Sequence, residues 1–325
     1  MNLAAAVAAF LALNALPAAP HASAQVWYMG QAPDQSKPDT TLTISVHKLA
    51  TGVYAARVRY GWVGWIEQGK GIVLIDAAMD DYAARSLEDS IRARSGPKPI
   101  THVVLTHAHE DHVRGAKRFM DQGAILVVQE QNLAVVDSML GRPAPAEGAK
   151  GKDPSTIVVK RIHKLGPPDR VAEIIWLGHP AHTASDLIVY LPKQKVLFAG
   201  DVVSNRSVPW MLDPGMTVPG WRASVDSIMT ARFDADSLVP GHGRIGSKRD
   251  AAGWMKRYLL DSWERAAYYS SAGTKVTSFK DWGDLGAYTD VEFYKQTHFM
   301  NMRRLWYETQ GIKTPGRPRA RALQW

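Results

Sequence analysis

Short apolar runs separated by turn residues dominate the first part of the chain, and their β-branched and aromatic content predicts strands. We place these strands at 43–46, 53–58, 63–67 and 71–75. In the next stretch, 81–94, the apolar residues Tyr82, Leu87 and Ile91 recur at helical spacing. They fall on one face of a helix, so the pattern changes from strand to helix at this point.

Strands and helices alternate through the rest of the chain. Further strands are predicted at 100–105, 124–128, 174–177, 187–191, 196–199 and 237–239. Further helices are predicted at 114–122, 129–139, 221–231, 251–270 and 291–308. This alternation in two halves predicts an α/β protein in which two sheets pack between helical layers.

The N-terminus has the pattern of a secretory signal. Residues 3–16 are almost entirely apolar, and Ala22-Ser23-Ala24 is a small-x-small cleavage site before Gln25. We therefore expect a signal peptide at 1–24 and a periplasmic or secreted protein with no membrane attachment after cleavage. The Gly-, Pro- and Lys-rich stretch 141–154 is interpreted as a flexible insertion.

The composition of the chain excludes several kinds of site. The chain has 325 residues, 46% of them hydrophobic, which is ample for a sizeable core. It contains no cysteine, so a disulfide framework, a thiolate nucleophile and a thiolate metal ligand are excluded. The net charge of +8 favours anionic partners, but the sequence lacks a long Lys/Arg block, and we expect no nucleic-acid partner.

A dense cluster of potential metal ligands follows the strand at 100–105, in the run THAHEDH at 106–112. His107 and His109 are two apart, so in an extended segment both imidazoles point the same way and can meet one metal. Asp111 and His112 follow in a turn and can point at a second metal. Three further candidate ligands stand in turns or at strand ends: His182, Asp201 and His242.

Imidazole and carboxylate ligands suit Zn²⁺, and this set is large enough for two divalent ions. Two such ions lower the pKa of a bridging water and give a hydroxide at ordinary pH. Asp111 can hold that hydroxide in line and accept its proton. The G-x-S-x-G signature is absent, so the leading hypothesis is a metal-activated hydroxide.

In order and spacing, these residues resemble the metallo-β-lactamase superfamily over about 41–246. The resemblance implies a four-layer αββα sandwich, with a C-terminal helical extension here, and two Zn²⁺ per chain. By the same resemblance, His107, His109 and His182 hold the first metal. Asp111, His112 and His242 then hold the second, and Asp201 bridges both. Asp76, at the end of the strand 71–75, would orient a ligand histidine.

The domain organisation follows from this resemblance. We expect the signal peptide at 1–24, a catalytic domain of the superfamily fold at 25–250, and a helical extension with a basic tail at 251–325. The sequence does not specify an oligomeric state.

The substrate is less well defined than the nucleophile. The cysteine-ligand type of β-lactamase is excluded, and an aspartate bridge resembles thioesterases, lactonases and phosphodiesterases of the superfamily. We therefore expect an exported hydrolase of a small ester, lactone, amide or β-lactam-like molecule. The alternatives are a hydrolytic dehalogenase of electron-poor aryl halides, an enzyme that cleaves RNA or other phosphodiesters, and an iron redox enzyme on the same scaffold.

Two segments are predicted to shape the pocket, the hairpin around 61–65 and the loop 205–221 after Asp201. The candidate pocket residues are Trp62, Trp65, Asn205, Arg206, Trp210, Met211 and Trp221. Their aromatic rings and the one guanidinium predict a small-molecule substrate with aromatic or anionic character.

Overall fold

A computed structural model describes residues 42–143 and 153–312. The strands in these ranges are β1 (Ile44–Ala50), β2 (Val53–Val58), β3 (Gly61–Gln68), β4 (Gly71–Ile75), β5 (Ile100–Val104), β6 (Ile125–Gln129), β7 (Thr156–Val159), β8 (Ile162–Leu165), β9 (Ala172–Trp176), β10 (Leu187–Leu191), β11 (Val196–Asn205) and β12 (Ser237–Gly243). The α-helices are α1 (Asp81–Ser95), α2 (Glu110–Val113), α3 (Ala116–Met120), α4 (Leu133–Met139), α5 (Val218–Met229), α6 (Lys248–Ser271), α7 (Phe279–Trp282) and α8 (Phe299–Thr309).

The strands form two halves that meet at one point. The first half runs β7-β6-β5-β4-β3 and the second runs β12-β11-β10-β9-β8, while β1 and β2 extend the first half beside β3. The halves are joined between β3 and β12 by the pair Gly61 and His242. Ligands on β12 and near β5 are therefore brought to the same edge of the fold.

The hydrophobic side chains form three layers, as expected for an αββα sandwich. Alternate residues of β3 show this directly, because Trp65 packs with Leu87 of α1 while the next residue, Ile66, packs with Val189 of β10. A third cluster joins the outer side of the second half to α5 and α6. The predicted α/β class and the four-layer sandwich are both confirmed.

Several elements of the structure differ from the predicted ones. The helix predicted at 291–308 is interrupted, because Phe293 has a left-handed backbone (φ 65°) and a π-helical turn, Tyr294–His298, precedes α8. The strands β7 and β8 were not predicted. Most of the insertion predicted at 141–154 lies outside the described residues, as do the signal peptide and the basic tail.

The C-terminal helices are packed into the sandwich. Tyr258 of α6 and Met302 and Leu305 of α8 have no exposed surface and belong to the same cluster as Leu197 and Leu238 of the central strands. No helix within 42–143 or 153–312 combines the length and hydrophobicity needed to cross a membrane.

Candidate metal centre

The predicted ligands converge from five elements at one edge of the sandwich. His107 and His109 follow β5, and His109 is the residue that precedes α2, which carries Asp111 and His112 in its first turn. The other three side chains come from the second half: His182 from the loop before β10, Asp201 from β11 and His242 from β12. Loops at strand ends can present side chains in this way without disturbing the core.

His107, His109 and His182 form the first ligand group. Nδ1 of His109 lies 3.1 Å from Nε2 of His107 and 2.8 Å from Nε2 of His182. All three rings are buried. Each ring has one nitrogen that faces the other two rings, which we call the inner nitrogen. The three inner nitrogens surround one point.

Asp111, His112 and His242 form the second ligand group. Oδ2 of Asp111 lies 3.3 Å from Nε2 of His112 and 3.2 Å from Nε2 of His242. Asp111 keeps about 15% of its side chain exposed, whereas both histidines are buried. The second group therefore opens towards solvent on the side of Asp111.

Asp201 lies between the two groups. Its Oδ2 is 3.3 Å from Nε2 of His182 in the first group and 3.3 Å from Nε2 of His242 in the second. Its Oδ1 is 3.3 Å from Nε2 of His112. One carboxylate is thus within reach of both groups, which is the arrangement that a bridging ligand requires.

In four ligand histidines, the outer nitrogen, which faces away from the other ligands, is hydrogen-bonded to an acceptor. Nδ1 of His112 donates to Asp76 at 2.9 Å, and Nδ1 of His242 donates to the carbonyl of Tyr60 at 3.1 Å. The Thr106 hydroxyl donates to Asp76, so it accepts from Nδ1 of His107 at 3.0 Å. The fourth bond joins Nε2 of His109 to Oδ2 of Asp213 at 3.2 Å.

The hydrogen bonds of the outer nitrogens determine whether the inner nitrogens carry a proton or a lone pair. A neutral imidazole that donates from its outer nitrogen carries a lone pair on its inner nitrogen. The lone pairs on Nε2 of His107 and Nδ1 of His109 face one another at 3.1 Å, and a cation between them would stabilise this arrangement. Nitrogens bound to one tetrahedral zinc lie about 3.3 Å apart, close to the spacing here. The donor set therefore fits a zinc ion in the first group.

Electrostatics in the second group favour a cation as well. Burial by itself would raise the pKa of the Asp201 carboxyl, but the neighbouring His242 and His112 hold that pKa well below its usual range. Burial would lower the pKa of His242, but Asp201 and Asp111 raise it to about 10. Positive charge is thus stabilised at the position where a second metal would lie.

In the first ligand group, two rings have a lowered pKa, in contrast to His242. Burial holds the pKa of His107 well below its usual range and lowers the pKa of His182 to about 4. Both rings are therefore neutral at ordinary pH and available as ligands.

Two glycines make room for side chains at the site, Gly241 for the Asp201 carboxylate and Gly200 for Thr106. A Cβ on Gly241 would lie 1.8 Å from Oδ1 of Asp201, and a Cβ on Gly200 would lie 2.7 Å from the Thr106 side chain. The pairing of β11 with β12 also shifts register around Gly200. Asp201 therefore lies in the irregular part of this strand pair.

Asp76 lies where the sequence placed it. Its Oδ1 accepts from the backbone N–H of Thr106 at 2.8 Å, while its Oδ2 accepts from the Thr106 hydroxyl and from His112. The residue has a left-handed backbone with φ 60°. Asp76 therefore fixes the start of the ligand run and one ligand ring together.

Three predicted pocket residues are corrected. Trp65, Met211 and Trp221 have no exposed surface. Trp65 donates to Ser95 of α1 on the helical side, and Trp221 donates to the carbonyl of Val202. They form core because large apolar side chains gain most from full burial.

The other predicted pocket residues have mixed environments. Trp62 is buried and donates to the carbonyl of Gly243, and Asn205 is buried and donates to the carbonyl of Arg244. Arg206 is exposed and has a left-handed backbone, and Trp210 is half-buried. Of the seven, Arg206 and Trp210 have the most surface for contact with a substrate.

Asp213 is a functional candidate that the sequence did not predict. It lies twelve positions after Asp201, in the loop taken as a source of pocket aromatics. Its Oδ2 accepts from His109, and its Oδ1 accepts from the N–H of Gly215 at 2.7 Å. Its position in that loop is the one signal that could have drawn attention to it.

Comparisons with known proteins agree with this geometry. Residues 56–242 match the family model described as the metallo-beta-lactamase superfamily. A type 2 metallo-beta-lactamase from Bacillus cereus is 25% identical over 56% of this chain and 67% of its own length. The metallo-beta-lactamase IND-1 from Chryseobacterium indologenes is 26% identical over 53% of this chain and 67% of its own length.

Solved structures share the fold. A metallo-beta-lactamase from Pontibacter korlensis superposes with a TM-score of 0.55 at 22% identity, covering 67% of this chain and 99% of that one. The inverting sec-alkylsulfatase Pisa1 from Pseudomonas sp. superposes with a TM-score of 0.62 at 18% identity, covering 82% of this chain and 50% of that one. Because the family model spans more than half of the sequence, this chain belongs to the metallo-beta-lactamase superfamily.

Proposed function

We propose that this protein is a dinuclear zinc hydrolase of a small ester, lactone, amide or β-lactam. The observation that carries the proposal is the position of Asp201, within 3.3 Å of His182 in one ligand group and of His242 in the other. A carboxylate so placed would be a shared ligand if both groups held an ion.

Bound zinc ions would supply Lewis-acid chemistry, since they acidify water and polarise an electrophilic carbonyl. The first ligand group would hold one ion and the second ligand group the other, with Asp201 common to both. The acceptors Asp76, Asp213, Thr106 and the carbonyl of Tyr60 keep four ligand rings in the tautomer that points a lone pair inwards.

Asp111 is the ligand best placed to accept a proton. Burial would raise the pKa of its carboxyl, but His112 and His242 hold that pKa well below its usual range, so it is a carboxylate at neutral pH. It is also the one ligand of the second group with an exposed edge. Asp111 can therefore orient the attacking water and accept its proton.

The substrate class rests on two supports. The curated relatives are metallo-beta-lactamases, which favours cyclic amides among the substrates. Arg206 and Trp210, the exposed and half-buried residues of the loop after Asp201, suit an anionic or aromatic group beside the scissile bond.

The decisive experiment is an activity screen of the zinc-loaded protein across lactones, aryl esters, β-lactams, phosphodiesters and aryl halides. We expect turnover of the first three classes and its loss in Asp111→Asn, which lacks the carboxylate that would accept the proton. Turnover of phosphodiesters or aryl halides alone would overturn the substrate class. Equal activity of the Asp111→Asn variant would remove Asp111 from proton transfer.

We also propose that the protein is exported. The apolar run 3–16 and the cleavage site at 22–24 support this proposal. Fractionation of cells that express the full chain should place the mature protein outside the cytoplasm, with Gln25 as its first residue. A cytoplasmic protein that keeps residues 1–24 would contradict it.

A further inference from the structure

One face of α8 carries a row of polar side chains directed at the backbone of the 209–218 segment. Asn301, Arg304 and Glu308 are spaced by three and four residues, so they lie on the same side of the helix. Buried or partly buried polar groups in such a row stabilise a particular backbone conformation only if they are hydrogen-bonded. Each of these three residues meets that condition.

Asn301 makes the most buried contact and has no exposed surface. Its amide nitrogen donates to the carbonyl of Pro209 at 2.7 Å, and its amide oxygen accepts from the N–H of Met211 at 3.1 Å. Its nitrogen also donates to the hydroxyl of Tyr258 on α6 at 3.2 Å. The amide thus binds both sides of Trp210 and is itself held by the neighbouring helix.

Arg304 and Glu308 hold the other end of the segment. Arg304 donates to the carbonyl of Met216 at 3.3 Å, and Glu308 accepts from the N–H of Val218 at 3.0 Å. The two side chains also form an ion pair at 3.5 Å. Three side chains of one helix therefore fix four backbone groups of the 209–218 segment.

The 209–218 segment leads directly to the first ligand group. Asp213, near its middle, accepts from the outer nitrogen of His109. Trp221, in the first turn of the helix that follows, packs against the ring of His182 with 5.4 Å between centroids. A change in the path of this segment would move the supports of two of the three ligands.

We propose that the C-terminal helix α8 is a positioning element of the metal centre, with Asn301 as its principal positioning residue. Asn301 acts through the 209–218 segment on Asp213, and through Asp213 on His109. The inference rests on the proposed metal centre and extends it to the helical extension.

The test measures zinc affinity by competition with a chromogenic chelator, together with the visible absorption of the cobalt-substituted protein. Asn301→Ala should weaken zinc binding at the first ligand group by about tenfold, the lower end of the range for residues that support ligands. The cobalt spectrum should change in the same variant. Thr309→Val is the matched control, because Thr309 bonds Ser270 on α6 at 2.9 Å.

A second pair of variants keeps the test valid if Asn301→Ala folds poorly. Glu308→Gln retains an acceptor for the N–H of Val218, whereas Glu308→Ala removes it. We expect zinc affinity to fall in the alanine variant and to be close to wild type in the glutamine variant. Equal losses in both would contradict the hydrogen-bonding role of the helix.

A double-mutant cycle tests the route through Asp213. If Asn301 acts through Asp213, then Asn301→Ala should cost little further affinity in an Asp213→Ala background. Additive losses, or a loss in Asn301→Ala no larger than in Thr309→Val, would overturn the inference. A wild-type protein that binds no zinc would instead refute the proposed function.

Discussion

Asp213 and His109 are joined by a hydrogen bond of 3.2 Å across 104 residues of sequence. The bond leaves Nδ1 of His109 to face His107 and His182. It therefore links the loop after β11 to the ligand run after β5 and fixes which nitrogen of His109 is available to a metal.

Replacement of Asp213 tests this link. Asp213→Ala should weaken zinc binding by about 10–100-fold, because the ring of His109 loses both its orientation and its tautomer preference. Isothermal titration with zinc measures the change. Asp234→Ala removes an exposed carboxylate that pairs with Lys195 and serves as the control. Unchanged affinity in Asp213→Ala would show that His109 is oriented by other contacts.

Loss of Asp201 should have a larger effect on turnover. Several kcal/mol of stabilisation are at stake when two ions lose a shared ligand, so Asp201→Ala should lower kcat/KM at least about 100-fold. Circular dichroism should show an intact fold. A variant with normal turnover would remove the bridging carboxylate from the mechanism.

The glycine opposite Asp201 offers a steric test of the same position. In Gly241→Ala the new methyl group would lie 1.8 Å from Oδ1 of Asp201, so the carboxylate must move. We expect reduced zinc content after dialysis and reduced turnover. Gly286→Ala is the matched control, because its Cβ would meet no atom within 4 Å. Full zinc content in Gly241→Ala would mean that Asp201 is not needed in its present place.

The pKa of His242 predicts how the metal-free protein responds to pH. The ring titrates near 6.5 when unfolded and at about 10 when folded, because Asp201 and Asp111 outweigh the effect of burial. The folded state binds this proton more tightly. Its contribution to stability is therefore complete below about pH 6.5 and is lost as the pH rises towards 10.

Zinc bound at His242 would replace that proton, so the zinc-loaded protein should keep its stability over the same range. Melting temperatures of chelator-treated and zinc-loaded protein between pH 6.5 and 10 compare the two states. A metal-free protein whose melting temperature rises across this range would contradict the assigned pKa direction.

The sequence predicted those parts of the site that are local. The motif at 106–112 places four candidate ligands within six residues, and Asp76 directly follows a strand that its apolar residues predict. The strands β4 and β10 have the predicted bounds because their apolar runs are continuous, and β2 also has the predicted bounds although Arg57 interrupts its apolar run.

The remaining features depend on contacts between distant residues. Asn301 bonds Met211 from 90 positions away, and no short-range pattern signals such a pair. Trp65 and Trp221 were assigned to the pocket, but tryptophan suits a core as well as a binding wall, so composition could not separate the two. The strand β8 was missed because its sequence, IHKL, has only two apolar residues.

Zinc-soaked crystals with anomalous scattering provide the most direct test of the dinuclear centre. We predict two ions per chain, one bound by His107, His109 and His182, the other by Asp111, His112 and His242, and Asp201 in contact with both. A zinc-saturated protein that holds one ion, with His242 unengaged, would contradict it.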